Sequence, residues 1–149
     1  MITPEHHPPI IAFIYCLIAI VIDYFIPLPQ IRNPGLTYIG GALILFGSLS
    51  LFWAWALFKK LKTGICPIDK PTSFIPFGPY RFSRNPMYLS MIVILVGLSF
   101  LLGKWVMLGV PIAFFITIRR VFIPFEEARL EMIFGDQYLD YTASVRRWL

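Results

Sequence analysis

The chain has 149 residues, 58% of them hydrophobic, 17% aromatic and 14% charged, with a mean hydropathy of +0.73 and a formal net charge of +5. Soluble domains carry about 25% charged residues, so the composition excludes a water-soluble globular domain and points to one integral membrane domain over 1–149. Cys16 and Cys66 have no metal-binding or redox spacing, and no nucleic-acid module is visible, so the basic excess is a matter of topology and anionic headgroups.

The N-terminal run has no basic stretch and no small-residue cleavage site after it, so the first apolar segment reads as a retained span and not a signal peptide. His6 and His7 form a bare terminal pair, and no metal is expected. Apolar segments follow at 10–26, 36–58, 88–102 and 105–123, of 17, 23, 15 and 19 residues. With a rise of about 1.5 Å per residue and a hydrocarbon core of about 30 Å, a crossing takes about 20 residues. The second and fourth suffice alone. The first is short, and the third borrows its flanks to run over 86–103. Only Gly103-Lys104 separates the last two, which makes them a tight helical hairpin. The expected fold is all-α: a polytopic membrane bundle of about four transmembrane helices, self-contained as a monomer, with short cytoplasmic helices at the C-terminus.

With four spans, both termini and the 59–87 loop share one side. That side holds eleven of the thirteen lysines and arginines, and the other holds only Arg32 and Lys104. Lysine and arginine mark the cytoplasmic side, so both termini are expected there. Asp23 lies in the first span near its outer edge, beside Tyr24 and before Pro27. It reads either as reaching the interface or as a proton-coupling group.

The 59–87 loop is the long connection, and such loops are functional or disordered. Pro67, Pro71, Pro76, Pro79 and Pro86 exclude regular helix through most of it. Thr72-Ser73-Phe74-Ile75-Pro76-Phe77 is polar then aromatic, suited to a groove, and Gly78-Pro79 marks a turn. Asn85-Pro86 is a helix start, with asparagine as N-cap and proline at the first helical position. The unpaired N–H groups of that start suit a carboxylate or phosphate.

Pro124 is expected to end or kink the fourth span, after which 125–134 reads as a short helix closed by Gly135. At 100° per residue, Glu126 falls on the apolar side, between Ile133 and Leu130, and needs a partner: an arginine, a ligand or a cation. Glu127 falls on the polar edge and is expected to face solvent or headgroups. In the tail, Tyr138, Tyr141, Val145 and Trp148 share one helical face, flanked by Arg146 and Arg147, which suits a surface helix anchored by Trp148.

The run Gly78-Pro79-Tyr80-Arg81-x-x-Arg84-Asn85-Pro86-Met87-Tyr88, followed by an apolar hairpin, Glu126-Glu127-x-x-Leu130 and Phe134-Gly135-x-x-Tyr138-x-x-Tyr141, resembles the isoprenylcysteine carboxyl methyltransferase and phospholipid methyltransferase superfamily over about 72–147. The resemblance implies a membrane-embedded methyltransferase that uses S-adenosylmethionine on a lipid-borne acceptor. It places Thr72, Ser73, Phe74, Ile75, Tyr80, Asn85, Pro86, Met87, Tyr88 and Glu126 around the cofactor, within elements 72–88 and 124–147. Arg84 and Arg120 are then the cations that orient an acceptor carboxylate, and Glu127 the proton sink for an amine. Arg119, Arg120, Phe122 and Tyr138 line the acceptor side. The family's histidine before the proline is Asn85 here, which hydrogen-bonds but does not titrate. The arginine that grips the substrate carboxylate in isoprenylcysteine enzymes is replaced by Phe122, with Arg119 and Arg120 close by. A sterol-type membrane reductase shares a related C-terminal architecture, and a four-span transporter built around Asp23 is the non-enzymatic alternative.

Overall fold

A computed structural model describes residues 8–26, 28–31, 33–61 and 74–149. Thr72 and Ser73 therefore lie outside the described residues, as do His6, His7, Arg32 and Cys66. The fold is helical: α1 (Pro8–Phe25), α2 (Pro34–Leu61), α3 (Pro86–Leu102), α4 (Gly109–Thr117), α5 (Ile123–Phe134) and α6 (Asp136–Ser144). A 3-10 turn, Trp105–Leu108, leads into α4, and a π turn, Ile118–Phe122, joins α4 to α5. Three helical runs are long and apolar enough to cross a membrane: α1, α2 and the continuous run Trp105–Phe134. α3, at 17 residues, is a shorter apolar helix.

α3 is the centre of the bundle. On one side it meets α2 through glycines: a Cβ on Gly40 would lie 2.6 Å from the Gly97 carbonyl oxygen, and one on Gly97 would lie 2.7 Å from that of Gly40. Lipid gives helices little hydrophobic reason to associate, so close backbone packing of small residues supplies the contact. On its other side Tyr88 and Leu95 join Ile11, Ala12 and Ala19 of α1 with Met107, Val110, Phe114, Ile118, Phe122 and Ile123 of the long run in one apolar core. A hydrogen bond of 2.7 Å between the Tyr15 and Thr117 hydroxyls ties α1 to α4 within it. The outward faces of α1 and α2 expose Phe13, Leu17, Val21, Leu45, Phe46, Leu49 and Phe52, which suits contact with acyl chains.

The hairpin forms as the sequence implies. Gly103 adopts the left-handed conformation that ends α3 (φ 59°), and its carbonyl accepts the Ile31 N–H at 2.7 Å. Lys104 pairs with Asp23, so Asp23 is neither a bare interface residue nor an isolated carboxylate; it pins α1 to the hairpin tip.

Pro124 neither ends nor breaks the fourth span. Proline lacks an N–H, and its ring would clash with the carbonyl four residues back, here that of Arg120. The helix widens instead: Ile123 donates to Ile118, five residues back, through the π turn, and the run continues to Phe134. Gly135 then closes it with a positive φ of 52°.

Candidate active site

The site is assembled where the start of α3, the first turn of α5 and the tail converge. Gly78, at φ +64°, turns the chain into a short 3-10 segment, Gly78–Arg81, against the end of α2, where the Tyr80 and Phe58 rings meet edge to face at 5.7 Å. α3 begins at Pro86, with Asn85 in the cap position. The Asn85 side chain does not cap the helix: its Nδ2 donates to the Arg147 carbonyl at 3.0 Å. The expected cap is corrected for a plain reason. The tail offers a backbone acceptor, and the Ser83 hydroxyl takes the Asn85 N–H at 3.2 Å. The α3 start has no side-chain cap, so its N–H groups are presented by backbone geometry alone.

One turn into α3, the Tyr88 hydroxyl donates to Glu126 Oε1 at 2.5 Å. Glu126 lies in the first turn of α5. No ion pair to it occurs among the described residues, and its carboxyl group is turned inward to Tyr88. Glu127 is the correction here. It does not face solvent: its side chain is 16% exposed, with Arg147 Nη2 at 2.5 Å, Arg147 Nε at 3.1 Å and Arg84 Nη1 at 3.4 Å. The polar edge of α5 is roofed by the tail, which a helical projection of α5 alone does not contain.

The tail is corrected too. α6 ends at Ser144 and Val145 is extended, so Val145 and Trp148 leave the face shared by Tyr138 and Tyr141. Trp148 packs on Phe115 of the long helix, ring centres 4.9 Å apart. Tyr138 and Tyr141 are buried. They surround Phe74 together with Phe134, at centroid distances of 6.0, 5.1 and 5.4 Å respectively. Tyr141 donates to the Tyr80 carbonyl at 2.6 Å. Burial pushes the Tyr138 phenol up to about 12, with the Glu127 charge adding to the effect. Burial likewise raises Tyr141, helped by Tyr138, and Tyr80, helped by Tyr141 and Glu126. All three therefore stay protonated, as hydrogen-bond donors, at neutral pH.

The convergence thus holds Phe74, Ile75, Tyr80, Arg84, Asn85, Pro86, Met87, Tyr88, Glu126, Glu127 and Tyr138 around one end of the bundle. Arg119 and Arg120 are exposed on the π turn. Phe122 is buried in the core, 2% exposed, and forms wall instead of surface. Sequence reasoning did not connect Arg147 to Glu127. The two lie 20 positions apart, beyond any local periodicity, and adjacent arginines in a basic tail read equally well as headgroup contacts.

The family described as phospholipid methyltransferase matches residues 36–137. Among relatives, an uncharacterized protein of Haemophilus influenzae is 46% identical over 66 residues, covering 42% of this chain and 100% of that protein. Protein-S-isoprenylcysteine O-methyltransferase A of Arabidopsis thaliana is 36% identical over 74 residues, covering 48% of this chain and 36% of the plant enzyme. No solved structure matches.

Proposed function

We propose, from the premise that this chain belongs to the phospholipid methyltransferase family, that it is a membrane methyltransferase using S-adenosylmethionine on a lipid-type acceptor. The observation that carries the reading is Glu126: a carboxylate turned inward, held by Tyr88 and lacking a cationic partner among the described residues. Such a group favours a positively charged ligand. The uncapped start of α3 favours a negatively charged one. A ligand with both charges, a nucleoside and a sulfonium fits this pair of requirements, and the aromatic residues at 74, 80 and 138 offer apolar surface for its ring.

In this reading the segment Asn85, Pro86, Met87 and Tyr88 lies against the carboxylate end, with donors supplied after Pro86, and Glu126 meets the amine or hydroxyls. Phe74, Ile75 and Tyr80, with Thr72 and Ser73 next to them in sequence, enclose the remainder. When bound, the cofactor supplies a sulfonium methyl carbon open to in-line displacement, leaving S-adenosylhomocysteine. What the chain contributes is positioning and exclusion of water, the main sources of rate in such a displacement. Arg119 and Arg120, exposed where the apolar span ends, meet an anionic carboxylate or phosphate on the acceptor. Tyr138, a neutral phenol near Arg84 and Glu127, offers a hydrogen-bond donor to the acceptor, and Phe122, buried in the core, packs behind the arginine-bearing turn. Both Glu127 oxygens are engaged by guanidinium groups, so Glu127 and Arg84 act together as a clamp, and the orienting cation role passes to Arg120. The site lies on the arginine-rich side, which supports a cytoplasmic position for it and for both termini.

Calorimetric titration of S-adenosylhomocysteine into the purified protein in detergent tests this. Micromolar binding by the wild type, abolished in Glu126→Ala, is the expected result. Absence of binding by a folded wild type, or wild-type affinity in Glu126→Ala, would sink the cofactor assignment.

A further inference from the structure

Residues 145–148 cross the candidate site as a strap. The Arg146 carbonyl accepts the Arg84 N–H at 3.0 Å. The Arg147 carbonyl accepts Asn85 Nδ2 at 3.0 Å and the Ser83 hydroxyl at 3.3 Å. The Arg147 guanidinium grips both oxygens of Glu127, with Nη2 on Oε2 and Nε on Oε1. Trp148 then fixes the strap end on Phe115. One residue, Arg147, therefore holds the turn before α3 with its backbone and α5, just past its first turn, with its side chain.

Those two elements meet at Tyr88 and Glu126, and the strap bridges them a second time. Glu127 and Glu126 are neighbours on α5, about 100° apart around its axis. Fixing the first with a two-pronged contact fixes the rotation of the helix, and with it the direction of the second. A planar guanidinium is suited to that task because its fork matches a carboxylate in one orientation, whereas an ammonium does not set an angle. The same residue's carbonyl takes the Asn85 side-chain Nδ2, and that side chain makes no cap hydrogen bond to the α3 start.

We infer that Arg147 is a positioning residue for the cofactor site, acting through Asn85 and Glu127 without touching the ligand. The inference rests on the cofactor reading above.

The test compares the wild type, Arg147→Lys, Glu127→Gln and the double variant in S-adenosylhomocysteine titrations at a temperature well below each melting point. Melting temperature and amide hydrogen exchange over 84–89 are recorded without ligand. Arg147→Lys, which keeps the charge and loses the fork, is expected to weaken binding about tenfold, the loss of one good charge-assisted contact. It should also speed exchange at the α3 start. The double variant should bind no more weakly than the worse single one, since both act through one contact. Wild-type affinity in Arg147→Lys, with only a lower melting temperature, would overturn the positioning role and leave a purely structural strap. Absence of binding by the wild type would overturn the cofactor reading itself, and the positioning role with it.

Discussion

Tyr88 and Glu126 carry most of the meaning of the site, and each is legible to a different degree. A helical projection puts Glu126 on the apolar side of its helix, and in the structure its carboxyl group is turned inward to Tyr88. Its partner lies 38 positions away on another helix, and no periodicity connects the two. The pair makes a residue-scale prediction. Tyr88→Phe removes a donor from a carboxylate in an apolar setting, where a hydrogen bond to a charged group contributes about 1.5–3 kcal/mol. Thermal melts in detergent should show the loss, and titration with S-adenosylhomocysteine should show weakened binding in the folded variant. A melt and a titration both matching the wild type would mean that Glu126 is held by something else. Glu127 shows the opposite case. Its own helix points it outward, and the chain after Ser144 comes back to cover it.

At the scale of elements, most helix limits were readable from apolar length and from proline and glycine. Pro86 opens α3, Gly103 closes it and Gly135 closes α5. The π turn was not, because a proline after a long apolar run predicts a break unless the helix has room to widen. The α2–α3 contact yields a sharp comparison between adjacent residues. A Cβ on Gly40 meets the Gly97 carbonyl at 2.6 Å and the Leu101 nitrogen at 2.7 Å, both backbone atoms, whereas a Cβ on Gly41 meets nothing within 4 Å. Gly40→Ala should therefore cost about 1–3 kcal/mol, as overpacking does. Gly41→Ala should be neutral or stabilising by up to about 1 kcal/mol, the helix preference of alanine over glycine. Melting temperatures that fall equally in the two variants would contradict the packing described for α2 against α3.

For the molecule as a whole, the arrangement of charge argues for one sidedness. The hairpin tip carries Lys104, paired with Asp23, while Arg84, Arg146 and Arg147 gather at the other end with the site. In a background with Cys16 and Cys66 replaced by serine, Trp105→Cys and Arg146→Cys should label from opposite sides of the membrane, with Arg146→Cys reached from the cytoplasm. Labelling of both from one side would leave α3 and the long helix as a re-entrant hairpin. Composition alone settled the membrane class, because too few charged residues are present to clothe a soluble surface. The tertiary closure of the site was not readable, since the tail's contacts with 83–85 and Glu127 depend on where Val145 leaves the helix. The π turn, finally, has a consequence for kinship. It stores one more residue than an α-helix would between the same flanks, so the span can change length there by one without turning the glutamates away from Tyr88, provided Pro124 changes too. A one-residue gain or loss elsewhere in the helix would rotate everything below it by about 100°. Related chains that differ by a single residue in this helix should therefore carry the difference between Ile118 and Phe122.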